Sequence, residues 1–183
     1  MVITIYMFGV CMEYGVKELG RAAKYALVAH KGQLDGQGEP YIGHPYRVAE
    51  MVGNIAFCVG MSQSSIYMVK IAAVLHDVIE DCGVSFDEVK DELNLGDDIV
   101  GILWLLTRKP DEEYGEFIGR IVSSNNIYAI LVKISDILDN LDPTRVLPDE
   151  QTSIRLKTRY TTALGRLVQS LETLFDNIEL ENL

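Results

Sequence analysis

The chain has 183 residues, of which 48% are hydrophobic and 23% charged, and its formal net charge is −11. This size and composition suit one globular domain with a hydrophobic core, so we predict a single domain over residues 1–183. The negative charge disfavours binding to nucleic-acid polymers, because neutralising many phosphates requires a basic surface.

The first eleven residues, MVITIYMFGVC, form an apolar segment that lacks the basic start of a signal peptide and is too short to span a bilayer. Two interpretations stay open: a segment packed on the core or on a partner, or an extension upstream of a true start at Met12. A β-strand over residues 2–8 is compatible with the first interpretation. The three cysteines show no metal or redox spacing, which predicts reduced thiols and a cytoplasmic protein.

Apolar residues recur at helical spacing along most of the chain. A Gly-rich loop, GQLDGQGEPYIG, follows the first helix, and Ser85 with Glu88 matches a capping box. Trp104 is predicted to lie in a buried helix. The predicted helices cover residues 16–31, 45–59, 64–80, 86–93, 97–106, 111–123, 126–141 and 150–178. No convincing run of alternating polarity appears, so the fold class is all-α, a compact helical bundle.

One predicted helix carries polar groups in an apolar setting, in the stretch AAVLHDVIEDCG. At about 100° per residue, the side chains of His76, Asp77, Glu80 and Asp81 lie within one arc of roughly 140°. Burying unpaired carboxylates costs several kcal/mol unless a cation or basic side chains compensate. Since Lys70 is the only basic residue in the surrounding sequence, the balance favours a metal. The alternative is a solvated helix end beside a hydrogen-bonded core histidine.

A second apolar helix carries Asp136 and Asn140, which share a face because they are four residues apart. Asp139 is one position off that face and is expected to be partly solvated. His44 stands beside the Gly-rich loop at a helix start. Two histidines and two aspartates would make a mixed nitrogen and oxygen site, which suits Mn²⁺, Fe²⁺ or Zn²⁺. The predicted ligands are His44, His76, Asp77 and Asp136.

Such a site leaves coordination positions for water and for a substrate oxygen. It can lower the pKa of bound water and polarise a phosphoryl group. Glu80 and Asp81 would then orient the water or move its proton.

Three blocks occur in order: AHKGQLDGQGEPYIGHPYRVA, VLHDVIEDC and KISDILDN. Over roughly residues 20–145 the chain resembles the HD-domain metal-dependent phosphohydrolases, specifically the (p)ppGpp hydrolase domain of RelA/SpoT-type enzymes and their small stand-alone relatives. The resemblance implies one divalent metal, Mn²⁺ first, with Fe²⁺ and Zn²⁺ as alternatives. It implies the same four metal ligands, catalytic Glu80 and Asp81, a substrate-side Asn140, and mainly architectural roles for His30 and Gln33.

The chain departs from that family pattern at two positions. Asp35 and Asp142 stand where such hydrolases carry basic residues, one of them an Arg that stacks on guanine. An aspartate makes neither the stacking nor the cation contacts. From the three blocks we expect a (p)ppGpp 3′-pyrophosphohydrolase-like enzyme, and the two aspartates motivate other substrates. The alternatives are a phosphohydrolase of another small nucleotide (a dNTP, an NMP or a modified nucleotide) and a non-catalytic metal- or nucleotide-binding regulatory domain.

A nucleotide substrate also requires positive charge near the metal. The candidates for substrate contact are Lys31, Arg47 and Lys133, with Arg108, Lys109 and Arg145 as further bases. The acidic surface favours a small, metal-chelated nucleotide over polymeric RNA or DNA, and no membrane partner is expected. The oligomeric state stays open, and a homo-oligomer is compatible with the sequence.

Overall fold

The computed structural model describes residues 13–144 and 150–181, and the side chains of residues 13–144 and 151–177. The alternatives for the first eleven residues, the strand over residues 2–8, and Arg145 lie outside this part. Within it the chain forms nine α-helices, and the β-type pairing is one isolated bridge between Leu34 and Pro40. The all-α prediction is confirmed. The helices are α1 (Val16–Ala29), α2 (Gly43–Cys58), α3 (Gln63–Leu75), α4 (Val78–Cys82), α5 (Phe86–Leu93), α6 (Asp97–Leu106), α7 (Tyr114–Ser123), α8 (Ile127–Asn140) and α9 (Glu150–Glu181).

The core is organised around α3 and α8, the two helices that are apolar on most of their faces. Helix α2 packs against both of them, while α1 and α6 pack against α3. Helix α9 lies against α7 and α8. Because α3 and α8 are enclosed on several sides, a polar side chain on either helix is buried and must find a partner there.

Side-chain caps fix the starts of three helices. Ser62, Ser85 and Asn126 each accept a hydrogen bond from the amide three residues further on, at the N-termini of α3, α5 and α8. Such a cap satisfies one of the amides that a helix start leaves unpaired. The cap predicted at Ser85 is therefore confirmed.

The continuous helix predicted over residues 64–80 is wrong. Helix α3 ends at Leu75, α4 begins at Val78, and the chain turns at His76 and Asp77 between them. The carbonyl of Ala73, which a continuous helix would pair with the Asp77 amide, accepts a hydrogen bond from His76 Nδ1 at 2.6 Å. A side chain that competes for a backbone carbonyl in this way is a local cause of such a break.

Helix α6 is buried as predicted through Ile102 and Leu103, but its tryptophan is not. The Trp104 side chain is 46% exposed. Its ring lies 5.1 Å from the Lys109 ammonium and 4.9 Å from the Arg120 guanidinium, measured to the ring centroid. The cation contacts allow the indole to lie at the surface.

None of the described helices combines the length and the apolar character needed to cross a bilayer.

Candidate metal centre and substrate cavity

The structure brings the four predicted metal ligands together. His44 lies in the first turn of α2, His76 and Asp77 form the junction of α3 and α4, and Asp136 lies on α8. His44 Nε2 is 3.2 Å from Asp136 Oδ1 and 3.6 Å from Asp77 Oδ2. His76 Nε2 is 3.1 Å from Asp77 Oδ2 and 3.8 Å from Asp136 Oδ1. Two imidazole nitrogens and two carboxylates therefore face one point.

The orientation of His76 fits a metal ligand. Its Nδ1 donates to the Ala73 carbonyl, so in the neutral ring the lone pair lies on Nε2, which points into the cluster. This Nε2 is buried and has no hydrogen-bond partner in the part of the chain that the structure describes. The ligand atoms of His44, His76 and Asp77 all lie within 4.8 Å of one another. This mixed donor set fits a divalent transition metal.

The charges of the cluster keep its carboxylates ionised. Without a metal, burial opposes the charge of His76, but the neighbouring aspartates outweigh burial and raise the pKa of His76 well above its usual value, so this ring is charged, and a bound metal would replace its Nε2 proton. Burial raises the pKa of Asp77, but the charge of His76 outweighs burial and lowers this pKa to about 2. Burial likewise opposes ionisation of Asp136, yet Lys133 and the two histidines hold its pKa well below the usual range. Ionised carboxylates are the form that binds a metal.

Lys133 and Asn140 lie on either side of Asp136 on α8. Lys133 Nζ donates to Asp136 Oδ2 at 2.6 Å, and Asn140 Nδ2 donates to Asp136 Oδ1 at 2.7 Å. Both side chains also line the cavity beside the cluster. They are therefore placed to orient a metal ligand and to face a substrate.

Glu80 and Asp81 also line this cavity, one turn beyond His76 and Asp77, the predicted metal ligands of the α3–α4 junction. Burial and the charges of Asp77 and Glu80 raise the pKa of Asp81, which favours a carboxyl that can exchange a proton. Glu80 Oε2 accepts a hydrogen bond from the Arg108 amide at 3.0 Å, so Glu80 also fixes the loop after α6.

The cavity has a volume of about 290 Å³ and extends from the cluster to α9. Three cationic side chains, Arg108, Lys133 and Arg159, line it together with the aromatic rings of Tyr114 and Tyr160. The Arg159 guanidinium lies 4.5 Å from the Tyr114 ring centroid. The buried Tyr114 hydroxyl has no hydrogen-bond partner among the described residues. The site thus combines a carboxylate and imidazole cluster with a cationic, aromatic wall.

Two of the bases predicted to contact a substrate lie elsewhere. Lys31 is exposed in the turn after α1 and is not among the cavity-lining residues. Arg47 points to Asp139, with Nε 2.6 Å from Oδ1 and Nη2 3.0 Å from Oδ2, and is also outside the cavity wall. From its place in α2, one turn after His44, the Arg47 side chain contacts Asp139 of α8 instead of the cavity wall. Lys133 alone of the three predicted bases lines the cavity.

The expectation that Asp139 is partly solvated is wrong. Asp139 is only 3% exposed, because α2 covers this side of α8. Its Oδ2 accepts a hydrogen bond from His44 Nδ1 at 2.7 Å. The available sequence signal was its place in an almost wholly apolar helix, three residues after Asp136.

Sequence reasoning missed Tyr41, Tyr114, Arg159 and Tyr160 as cavity residues. The Tyr41 hydroxyl donates to Asp77 Oδ2 at 2.6 Å, and its position three residues before His44 was a usable signal. Arg159 and Tyr160 reach the cavity only because α9 packs back on α7 and α8, which no local pattern indicates.

His30 and Gln33 have the architectural setting that was expected of them. His30 is buried, and its Nδ1 lies 2.7 Å from Gln33 Oε1. Gln33 Nε2 donates to the Asp81 carbonyl oxygen at 3.2 Å. The pair therefore connects the end of α1 to α4, the short helix that contains Asp81.

Asp35 and Asp142 each close a turn of their own loop. Asp35 Oδ1 accepts from the Gln37 and Glu39 amides at 2.9 and 3.0 Å, and Asp142 Oδ1 accepts from the Thr144 amide at 2.8 Å. Neither aspartate is among the residues that line the cavity.

Comparison with protein families matches residues 22–108 to a model described as HD domain. This part of the chain is therefore similar to an HD domain. The matched range includes three of the four clustered side chains, His44, His76 and Asp77, while Asp136 lies outside it on α8.

Curated relatives match across a larger part of the chain. The guanosine-3′,5′-bis(diphosphate) 3′-pyrophosphohydrolase of Aquifex aeolicus is 30% identical over 74% of this chain and 19% of its own length. The bifunctional (p)ppGpp synthase/hydrolase SpoT of Escherichia coli K12 is 30% identical over 78% of this chain and 20% of its own length. The chain therefore spans about a fifth of the length of these relatives.

A solved structure has the same fold. It is described as a metazoan ortholog of SpoT that hydrolyses ppGpp, and it superposes with a TM-score of 0.65 at 24% identity. The alignment covers 93% of this chain and 98% of that one. The likeness extends beyond the HD domain to most of the helical bundle.

Proposed function

We propose that the chain is a metal-dependent phosphohydrolase that removes pyrophosphate from the 3′ position of guanosine-3′,5′-bis(diphosphate) or a closely related small nucleotide. The observation that carries the proposal is the convergence of His76 Nε2, His44 Nε2 and the carboxylates of Asp77 and Asp136 beside a cavity that three cationic side chains also line.

The four-residue cluster would hold the divalent metal, which supplies polarisation of a phosphoryl oxygen and a lowered pKa for a water molecule. Mn²⁺ is the proposed ion, with Fe²⁺ and Zn²⁺ as alternatives, because all three accept imidazole and carboxylate ligands. The mixed nitrogen and oxygen donors of the cluster support a metal of this group.

Asp81 and Glu80 are proposed to handle the proton of the attacking water. Asp81 lines the cavity with a raised pKa, and Glu80 faces the same space while it holds the loop of Arg108. Water adds to the phosphorus attached to the 3′ oxygen, and the bond between that oxygen and phosphorus breaks. One proton of the water passes to the carboxylate and is returned to the departing 3′ oxygen, so the products are a nucleoside 5′-diphosphate with a free 3′ hydroxyl and pyrophosphate.

The cationic wall is proposed to bind the phosphates of the substrate. Lys133 is paired with Asp136 on the cluster side, and Arg108 and Arg159 line the rest of the cavity. Tyr114 supplies a buried hydroxyl that can donate to a phosphate oxygen. Guanidinium groups match the geometry of phosphate oxygens and also stack on rings, so Arg159 beside Tyr114 can contact either part of a nucleotide.

Two further properties belong to the proposal. The cavity uses side chains from α2 to α9, which supports one functional unit rather than separate domains. Cys58 and Cys82 are free thiols, as is usual in a reducing compartment, and support a cytoplasmic location.

The test is a panel of small nucleotides incubated with Mn²⁺-loaded protein, with release of pyrophosphate and phosphate measured separately. We expect pyrophosphate and a guanosine 5′-diphosphate from guanosine-3′,5′-bis(diphosphate), and no product in EDTA. Turnover of a dNTP, an NMP or a modified nucleotide in its place would assign another substrate to the same site. Asp35 and Asp142, which replace basic residues, motivate that second candidate.

A regulatory binding domain is distinguished by a double variant, Glu80→Ala with Asp81→Ala. The proposed enzyme loses turnover in this variant while still binding Mn²⁺. A metal-loaded parent protein as inactive as the variant on every nucleotide of the panel would favour the non-catalytic alternative.

A further inference from the structure

Arg47 and Asp139 form an ion pair directly behind one proposed metal ligand. Arg47 donates two hydrogen bonds to the Asp139 carboxylate, at 2.6 and 3.0 Å, and Asp139 is almost fully buried. Two parallel bonds between a guanidinium and a carboxylate fix the orientation of both groups. The carboxylate therefore has a defined position between α2 and α8.

Asp139 uses the same carboxylate to hold His44. Its Oδ2 lies 2.7 Å from His44 Nδ1, while His44 Nε2 faces Asp136 and Asp77 on the other side of the ring. A carboxylate that accepts two hydrogen bonds from a guanidinium offers only acceptor atoms to His44, so His44 Nδ1 carries a proton. In the neutral ring this leaves the lone pair on Nε2, the nitrogen that faces the cluster.

We propose that Arg47 and Asp139 are positioning residues for the metal, acting through His44. Asp139 selects the His44 tautomer that can bind a metal through Nε2, and the two hydrogen bonds from Arg47 hold the Asp139 carboxylate in place. Carboxylate partners of metal-bound histidines raise ligand basicity, and their loss typically costs about 10- to 100-fold in metal affinity. The inference rests on the metal site of the proposed function but not on its substrate.

The two histidines of the cluster differ in what orients them. His76 Nδ1 donates to a backbone carbonyl of its own helix, Ala73, which no side-chain substitution removes. His44 depends on a carboxylate from another helix, 95 residues away in sequence. The His44 side of the metal site is therefore the side that substitutions outside the ligand set can weaken.

The experiment measures Mn²⁺ affinity by competition with a chelator for the wild type, Asp139→Asn, Arg47→Gln and Arg47→Lys. Asparagine is nearly isosteric but removes the negative charge, so we expect Asp139→Asn to bind Mn²⁺ about 10- to 100-fold more weakly. Arg47→Gln should lose less, and Arg47→Lys should recover part of that loss because it restores the positive charge. Tyr14→Phe is the control: it removes a partly buried hydrogen bond from the Tyr14 hydroxyl to Asp98, at 2.6 Å, away from the cluster.

A second readout separates positioning from general destabilisation. The ¹⁵N shifts of the His44 ring report its tautomer in the metal-free protein, and we expect the Nδ1-protonated form to be lost in Asp139→Asn. The Arg47 side chain is 48% exposed, so we expect Arg47→Gln to fold. This variant tests the positioning role if Asp139→Asn does not fold.

Mn²⁺ affinity within about twofold of wild type in Asp139→Asn or, if that variant does not fold, in Arg47→Gln would overturn the inference, as would an equal loss in Tyr14→Phe. If the wild-type protein binds no Mn²⁺, both the positioning role and the proposed metal site are overturned. A wild type that binds Mn²⁺ but turns over no nucleotide leaves the positioning role supported and removes only the proposed hydrolysis.

Discussion

Lys133 and Asp136 lie one turn apart on α8, with Lys133 Nζ 2.6 Å from Asp136 Oδ2. The two oxygens of Asp136 have different partners: Oδ2 accepts from Lys133, whereas Oδ1 lies 3.2 Å from His44 Nε2 inside the cluster. Both side chains are largely buried, with 12% and 7% of their surfaces exposed. The lysine therefore compensates the charge of a proposed metal ligand and also lines the cavity.

Replacing Lys133 by methionine is expected to destabilise the metal-free protein by about 3 kcal/mol, because it leaves a buried carboxylate with less compensating charge. Saturating Mn²⁺ should reduce this difference, since the metal supplies positive charge at the same carboxylate. Urea unfolding of both proteins, with and without Mn²⁺, measures it. Lys24→Met, on the exposed face of α1, is the control. An unchanged free energy of unfolding in Lys133→Met would contradict this role.

Asp81→Asn is expected to lower kcat by roughly 100- to 10,000-fold, the contribution of a general base. Metal affinity should stay near that of wild type, because Asp81 is not among the four clustered ligands. Steady-state pyrophosphate release and Mn²⁺ titration of the same preparations test the two halves separately. Asp87→Asn, exposed on α5, should change neither. A parallel loss of metal binding in Asp81→Asn would assign Asp81 to the metal instead.

Arg159→Gln is expected to raise KM about tenfold, the scale of one lost charge-assisted hydrogen bond. We expect Arg159→Gln to change kcat less than KM, because Arg159 lies on the α9 side of the cavity wall and not in the cluster. Arg155→Gln is the matched control, since Arg155 is exposed one turn earlier on α9 and is not among the lining residues. Equal KM values for the two variants would remove α9 from the substrate site.

The ion pair of Glu112 and Arg120 predicts a pH-dependent contribution to stability. Their side chains are 10% and 16% exposed, and the hydrogen bond from Arg120 lowers the pKa of Glu112 to about 2. A lowered carboxyl pKa gives stability that is present above the unfolded value, about 4.3, and is lost as the pH falls toward 2. Glu112→Gln should therefore cost about 2 kcal/mol at pH 7 and much less near pH 2.

Urea unfolding across this pH range checks the Glu112 prediction. Asp111→Asn, exposed in the same loop, serves as the control and should show no comparable pH dependence. A cost of Glu112→Gln that is constant from pH 7 to pH 2 would show that the ion pair does not carry the effect.

Local patterns predicted most helices because apolar periodicity and caps act within a few residues. Helix α6 has the predicted bounds, and α8 differs from its prediction by one residue at each end. The break between α3 and α4 was missed because its cause is a side chain competing for a backbone carbonyl, at His76 and Ala73. Periodicity scores apolar spacing and contains no information on that competition.

The site was predictable where polar residues stand in apolar helices, as at His76, Asp77 and Asp136. Asp139 has the same signature but was assigned to solvent, because a single helix face was assumed to be buried. The packing of α2 against α8 buries a second face. Arg159 lies on an amphipathic helix whose docking depends on tertiary contacts, so the sequence alone offered no reason to place it in the cavity.

The most direct test of the central claim compares wild type with His76→Ala, by measuring bound Mn²⁺ and pyrophosphate release from guanosine-3′,5′-bis(diphosphate) on the same samples. Because His76 Nε2 is the buried imidazole nitrogen without a hydrogen-bond partner in the described structure, its loss should lower Mn²⁺ binding and turnover together. Wild-type protein is predicted to bind about one Mn²⁺ and to release pyrophosphate only when that metal is bound. Turnover that survives in His76→Ala, or in wild type stripped of metal, would contradict the account.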